Sequence, residues 1–187
     1  MDFQIALLLG QDGLTNGAIY ALLALALVLV FAVTRVIFIP QGEFVAYGAL
    51  TLAMLQAGKL PATLWMIAAL GAVIVVVDGA IAIRHGAARR LPRIVLSNLG
   101  VPLALLLIVP NINAAGLPLI AQIALTLAVV VPLGPMIYRL AYQPIAEAPV
   151  LILLIVSVAV HVVLIGLGLL FFGAEGTRTP AFTDGTL

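Results

Sequence analysis

GLTNGAIYALLALALVLVFAV, residues 13–33, decides the fold class. It carries no charged side chain, and its apolar residues run continuously instead of alternating. A helix needs ~20 such residues to cross the hydrocarbon core of a bilayer. A strand of a membrane barrel would show a period of two, so the stretch reads as a spanning helix. Working outward, an interfacial turn is expected at residues 3–9. Five further apolar segments follow at about 36–57, 62–83, 91–109, 117–138 and 150–172. The second is interrupted at Pro40-Gln41-Gly42-Glu43. The fourth is the weakest, with Ser97, Asn98, Gly100 and Pro102. The fifth has Pro132 and Pro135 near its end.

The whole chain agrees with this stretch. Of its 187 residues 65% are apolar and 8% charged, and mean hydropathy is +1.32. Soluble domains carry roughly 25% charged residues. Eight basic and seven acidic side chains do not cover a soluble protein of this size. Soluble enzymes, nucleic-acid binders and disordered tails are therefore excluded. The expected fold class is an all-α integral membrane protein of about six transmembrane helices. Residues 1–187 are expected to form one polytopic membrane domain, with the polar tail at 173–187 extracytoplasmic. The N-terminus Met1-Asp2-Phe3-Gln4 has no basic region, so the first segment is expected to remain as a membrane helix. There is no cysteine, hence no disulfide or thiol chemistry.

Short-loop Lys and Arg set orientation. The loop at 84–93 holds Arg84, Arg89, Arg90 and Arg93, and is assigned to the cytoplasm. Counting spans puts Arg35 and Arg139 on the same side. Asp2, Asp12, Lys59, Glu175, Arg178 and Asp184 fall opposite. Six spans satisfy every loop and place both termini outside the cytoplasm. A re-entrant second segment would put Arg35 and the arginine-rich loop on opposite faces.

Few residues carry chemistry. A charged residue at membrane depth costs ~2.5–3.5 kcal/mol on insertion scales, so Glu43 needs protein, water or an interface around it. Proline and glycine beside it suggest that a helix starts there, with Glu43 in its first turn, favoured by the free amide groups. Two readings stay open: a plain helix cap near the interface, or a broken helix beside a transport path formed by Gln41, Gly42 and Glu43. Gly13, Gly17 and Ala21 make a small-residue stripe suited to helix packing, with Asn16 beside it. Asp78 is expected to pair with the arginine-rich loop, near Arg84 and His85. His161, near the middle of the last segment, is expected to hydrogen-bond a facing helix. With only two histidines no metal-ligand spacing exists, and no cofactor is expected. There is no Ser/His/Asp set, HExxH or P-loop.

Gly13-Leu14-Thr15-Asn16-Gly17-Ala18-Ile19-Tyr20-Ala21-Leu22-Leu23-Ala24-Leu25, then Thr34-Arg35-Val36-Ile37 and Gln41-Gly42-Glu43-Phe44, resembles the permease subunit of branched-chain amino-acid ABC importers, the LivH type. Tyr138-Arg139-Leu140-Ala141-Tyr142-Gln143-Pro144 is similar to a second element of that family, and the Phe172-Gly173-Ala174-Glu175 exit also looks familial. The resemblance covers about 110 residues. Three departures stand out. Phe38-Ile39-Pro40-Gln41 replaces the family's usual Asn-Phe-Ala-His. Residues ~60–116 look like an inserted pair of helices. The ATPase-docking loop of longer relatives has no counterpart, so the chain resembles the N-terminal part of such a permease. The resemblance implies a bacterial inner-membrane, non-enzymatic permease component importing branched-chain or related amino acids. The implied partners are ATP-binding cassette ATPase subunits, a second permease subunit and a periplasmic substrate-binding protein, within the lipid bilayer. The alternatives are a non-transporting structural or assembly membrane protein, and an intramembrane enzyme if Glu43, Asp78 and His161 meet.

Overall fold

A computed structural model describes residues 3–174. Among these residues the chain is helical with no strands. The long helices are α1 (Phe3–Thr34), α2 (Gln41–Gln56), α3 (Ala62–Arg84), α4 (Leu91–Ile108) and α5 (Leu119–Val130). A short α6 (Leu133–Ile137) and a π turn at Tyr138–Tyr142 continue α5, and α7 (Val150–Phe172) follows. Five helices are long and apolar enough to cross a membrane: Ile5–Thr34, Ala62–Arg84, Leu91–Asn111, Leu119–Ile145 and Val150–Phe172. The chain is thus an all-helical, multi-pass membrane protein. The tail from residue 175 lies outside the described residues, and with it the reading of Glu175, Arg178 and Asp184.

Three segments differ from the reading of the sequence. Residues 3–9 are the first turns of α1 and not a separate interfacial turn. Nothing there breaks a helix, since Gln11 to Asn16 are all tolerated and no proline intervenes. The second segment is helical only from Gln41, and α2 has 16 residues. Arg35 closes α1 with a positive φ of 59°, its N–H bonded to Phe31 O at 2.8 Å, the cap geometry that glycine usually supplies. Residues 36–39 then lack helical structure, because the ring of Pro40 pushes the residue before it toward extended conformations. The fifth segment breaks at Pro132, whose nitrogen cannot donate to a continuing helix, and ends in the π turn.

The remaining helices end where the sequence tells them to. Pro61 and Pro149 precede α3 and α7. At the end of α3, Gly86 takes φ 68°, its N–H bonded to Ile83 O and that of Ala87 to Ala82 O. This is the paired closure that a left-handed glycine allows.

α3 and α4 form a tight antiparallel hairpin. A Cβ on Gly71 would lie 2.6 Å from the carbonyl oxygen of Asn98, so only glycine permits this approach. The packed centre is built from α2, α3, α5, α6 and α7: Leu55, Leu64, Met66, Ile67, Ile74, Val129, Leu133, Leu153 and Leu164 are all 2% exposed or less. Lipid tails are as apolar as these side chains, so packing and hydrogen bonds hold the helices together. The Thr51 and Thr63 hydroxyls bond each other between α2 and α3. The Gln122 amide donates to Ala114 O at 3.0 Å and Leu117 O at 3.1 Å, fastening the loop before α5. α1 stands apart, with no buried residue in its apolar window.

Candidate functional site: a polar seam between two helices

α7 is almost wholly apolar, yet Ser157, His161 and Gly168 lie on one of its faces with Leu164 between them. Positions spaced by three and four residues share a helix face. α2 and the segment before it meet this face rung by rung. The Ile39 N–H donates to Ser157 Oγ at 3.1 Å, and the Tyr142 hydroxyl donates to the same oxygen at 3.1 Å. One turn on, Glu43 Oε1 lies 2.8 Å from His161 Nδ1. Next, the Tyr47 hydroxyl donates to the backbone oxygen of Leu164. The Tyr47 ring lies against Gly168, where a Cβ would be 3.3 Å from its edge, and stacks on Phe172 with centroids 6.0 Å apart.

The register is the same throughout: residue 39 meets 157, 43 meets 161 and 47 meets 164. The segment 39–47 and α7 therefore run parallel. Each contact supplies what its partner lacks. Ile39 lies outside any helix, and its N–H is shared between Ile37 O at 3.0 Å and Ser157 Oγ. Ser157 is fully buried and accepts from two donors. Glu43 sits in the first turn of α2, where free amide groups favour its charge. Its side chain is 15% exposed and that of His161 is 34% exposed. Glu43 Oε2 is buried with no hydrogen-bond partner. The contact is an ion pair only when the imidazole is protonated; otherwise a carboxylate faces a neutral ring.

No family model, no curated protein and no solved structure matches this chain.

The other residues singled out from sequence fall elsewhere. Gln41 reaches back to α1, donating to Leu23 O at 3.0 Å, and Gly42 is exposed beside it. Asn16 is exposed on α1, about 10 Å along the axis from Leu23 by helical rise, and does not join the seam. Nothing lies within 4 Å of a Cβ placed on Gly13 or Gly17, and Ala21 is exposed, so the small-residue stripe has no partner within the described chain.

Asp78 corrects the expected pairing with the arginine-rich loop. Its Oδ2 lies 2.7 Å from Nη2 of Arg139, on the π turn. Six helical positions separate Asp78 from Arg84, a rotation of about 240°, so the two point to different faces of α3. The Asp78–Arg139 contact borders a cavity of about 410 Å³ lined also by Ile74, Val77, Ile81 and Gln143. Glu43 and His161 thus meet, whereas Asp78 is engaged by Arg139. Among the described residues no group of three or more His, Cys, Asp or Glu side chains is placed to hold a metal ion.

Reading the sequence missed Ser157, Tyr142 and Tyr47 as members of the seam. One signal was present: Ser157 lies four residues before His161 on an otherwise greasy helix.

Proposed function

We propose that this chain is a membrane-embedded transport subunit, with the α2–α7 seam beside the transport path. One observation carries the reading. Next to the non-helical segment 36–40, an acid–imidazole pair is held between two helices of an apolar bundle. Non-helical backbone at membrane depth is tolerated only where protein buries it or water reaches it. Ionisable residues there mark transport pathways, and interrupted helices with a charged group at the new helix start are a recurring way to build them.

The resemblance at Gly13–Leu25, Arg35–Ile37 and Gln41–Phe44 supports a narrower form: the permease component of an ABC importer for branched-chain or related amino acids in a bacterial inner membrane. ATPase subunits would drive alternating access, a second permease chain would complete the path, and a periplasmic binding protein would deliver substrate. The substrate class rests on the resemblance alone.

Six crossings fit this reading better than five. α2 spans about 24 Å by helical rise, which leaves ~6 Å of the core for the non-helical residues before it to cover. Together they match a ~30 Å hydrocarbon core. The parallel register of α2 and α7 has the parity expected if α3, α4 and α5 each cross between them. Arg35, the loop at 84–93 and Arg139 then share the cytoplasmic side. Tags in the 84–93 loop and after Gly173 should report opposite sides of the membrane, and same-side labelling would rule out six crossings.

The transport role is tested by Glu43→Gln in vesicles holding the chain with its partner subunits. At matched protein level, ATP-dependent amino-acid uptake should fall while expression holds. Uptake equal to wild type would return Glu43 to a helix cap. A non-transporting assembly role is the second reading. It is favoured by α1, a spanning helix with no buried side chain in its apolar window.

A further inference from the structure

α1 touches the rest of the bundle chiefly across a cavity of about 390 Å³. Ala26, Val30 and Thr34 of α1 form one wall; Phe38, Phe44, Gly134 and Tyr138 are among the residues of the other. This volume is at the small end of ordinary ligand sites. The walls are apolar, and their few polar groups are mostly spent. Gln41 donates to Leu23 O, the Thr34 hydroxyl to Val30 O, and the Tyr142 hydroxyl to Ser157. An amino-acid zwitterion would find no charged partner among the lining residues. A hydrocarbon chain would lose nothing there.

The depth fits one leaflet. Ala26 to Thr34 covers about 12 Å of helix rise, against the ~15 Å of half a hydrocarbon core. The end of the cavity at Thr34 carries a cation. Arg35 sits between the lining residues Thr34 and Val36, is exposed, and has no carboxylate partner among the described residues. Its backbone is fixed by its own N–H on Phe31 O and by the Val36 N–H on Thr34 Oγ1 at 3.2 Å. Arg139, by contrast, is neutralised by Asp78.

We infer that this cavity binds one acyl chain of an anionic membrane phospholipid, with Arg35 facing the phosphate, and that the lipid fills the gap between α1 and the bundle. Apolar clefts between helices with a basic residue at the headgroup level are the chemistry that anionic lipids recognise. The inference needs only that the chain spans a bilayer, and it stands whether or not the seam transports.

Native mass spectrometry tests it. The full chain is purified in mild detergent with equal amounts of phosphatidylglycerol and phosphatidylcholine. Wild type should retain one phosphatidylglycerol per chain, about fivefold in preference to phosphatidylcholine, the worth of one basic residue near an anionic surface. Arg35→Gln should bring that preference to about one, and Arg35→Lys should keep it. Filling the cavity from either wall, by Ala26→Phe or by Gly134→Leu, should abolish retention of both lipids. A Cβ on Gly134 meets only Phe44, at 3.9 Å, so at least the first atom of that side chain fits without a clash. Ile19→Phe, on α1 outside the cavity, should change nothing. Equal retention of the two lipids by wild type, unchanged retention in both filled variants, or lipid-free dimers would overturn the inference. The last would show that a second copy covers this face.

Discussion

The two charged contacts among the described residues make a controlled pair. Asp78–Arg139 joins α3 to the π turn, with its arginine side chain 43% exposed and its carboxylate 18%. Glu43–His161 joins α2 to α7, and its carboxylate is 15% exposed and flanked by Tyr47 and Ser157 rungs. The first pairs an always-charged guanidinium with a carboxylate at the end of the bundle where basic residues gather. The second pairs a carboxylate with a group whose charge is optional. The two carboxylates are sequestered to a similar degree, and the partners differ: a guanidinium left 43% exposed gains little from its pair, because water reaches it. A sequestered pair depends on its partner, because removing one member strands the other. The difference lies in what removal of one member strands: a 43% exposed guanidinium when Asp78 is lost, a 15% exposed carboxylate between α2 and α7 when His161 is lost.

Three single substitutions and one double variant would break or sharpen that contrast. The largest effect is expected from His161→Ala, which leaves Glu43 without a partner and should cost about 2–3 kcal/mol, below the range for fully buried pairs because the imidazole is one-third exposed. Chemical unfolding in detergent micelles reads this. The double variant Glu43→Gln/His161→Leu should recover most of the loss, and failure to recover would mean that His161 acts through packing and not through Glu43. Next comes Ser157→Ala, which strands the Tyr142 hydroxyl, leaves the Ile39 N–H only Ile37 O, and should cost about 1–3 kcal/mol. Amide exchange at Ile39 should quicken with it. The smallest effect belongs to Asp78→Asn, at most about 1 kcal/mol and shrinking further in high salt. A loss as large as that of His161→Ala would erase the distinction between the two contacts.

How legible this was in the sequence depended on what each feature needs. Residues 62–83, 91–109 and 150–172 were expected as segments, and the helices run Ala62–Arg84, Leu91–Ile108 and Val150–Phe172. Local signals suffice there: Pro61 and Pro149 open helices, and Gly86 and Gly173 close them. The start of α2 was half-legible. Pro40 announced a break, but Arg35 in a left-handed cap gave no sign, because the residue that usually occupies that position is glycine. Glu43 and His161 each stood out as ionisable residues in apolar runs. Their meeting did not, since it depends on α2 and α7 packing in parallel across the four helices α3 to α6. Asp78 was assigned to a sequence-near arginine, and helix geometry sent it to a sequence-distant one. α1 carried the plainest signal for packing, Gly13, Gly17 and Ala21, yet the described chain offers it no partner. Local pattern tells what a helix face is suited for and leaves open which molecule supplies the other side.

The seam also sets a schedule for synthesis. Ile39 and Ser157 are separated by 118 residues. At ~5–20 residues per second, α2 leaves the ribosome about 6–24 s before the serine that will accept the Ile39 N–H. Throughout that interval Glu43 has no imidazole and Tyr47 no carbonyl from α7. The contacts between α2 and α7 can therefore form only after the last described helix has been made, which places the seam among the last parts of the bundle to close.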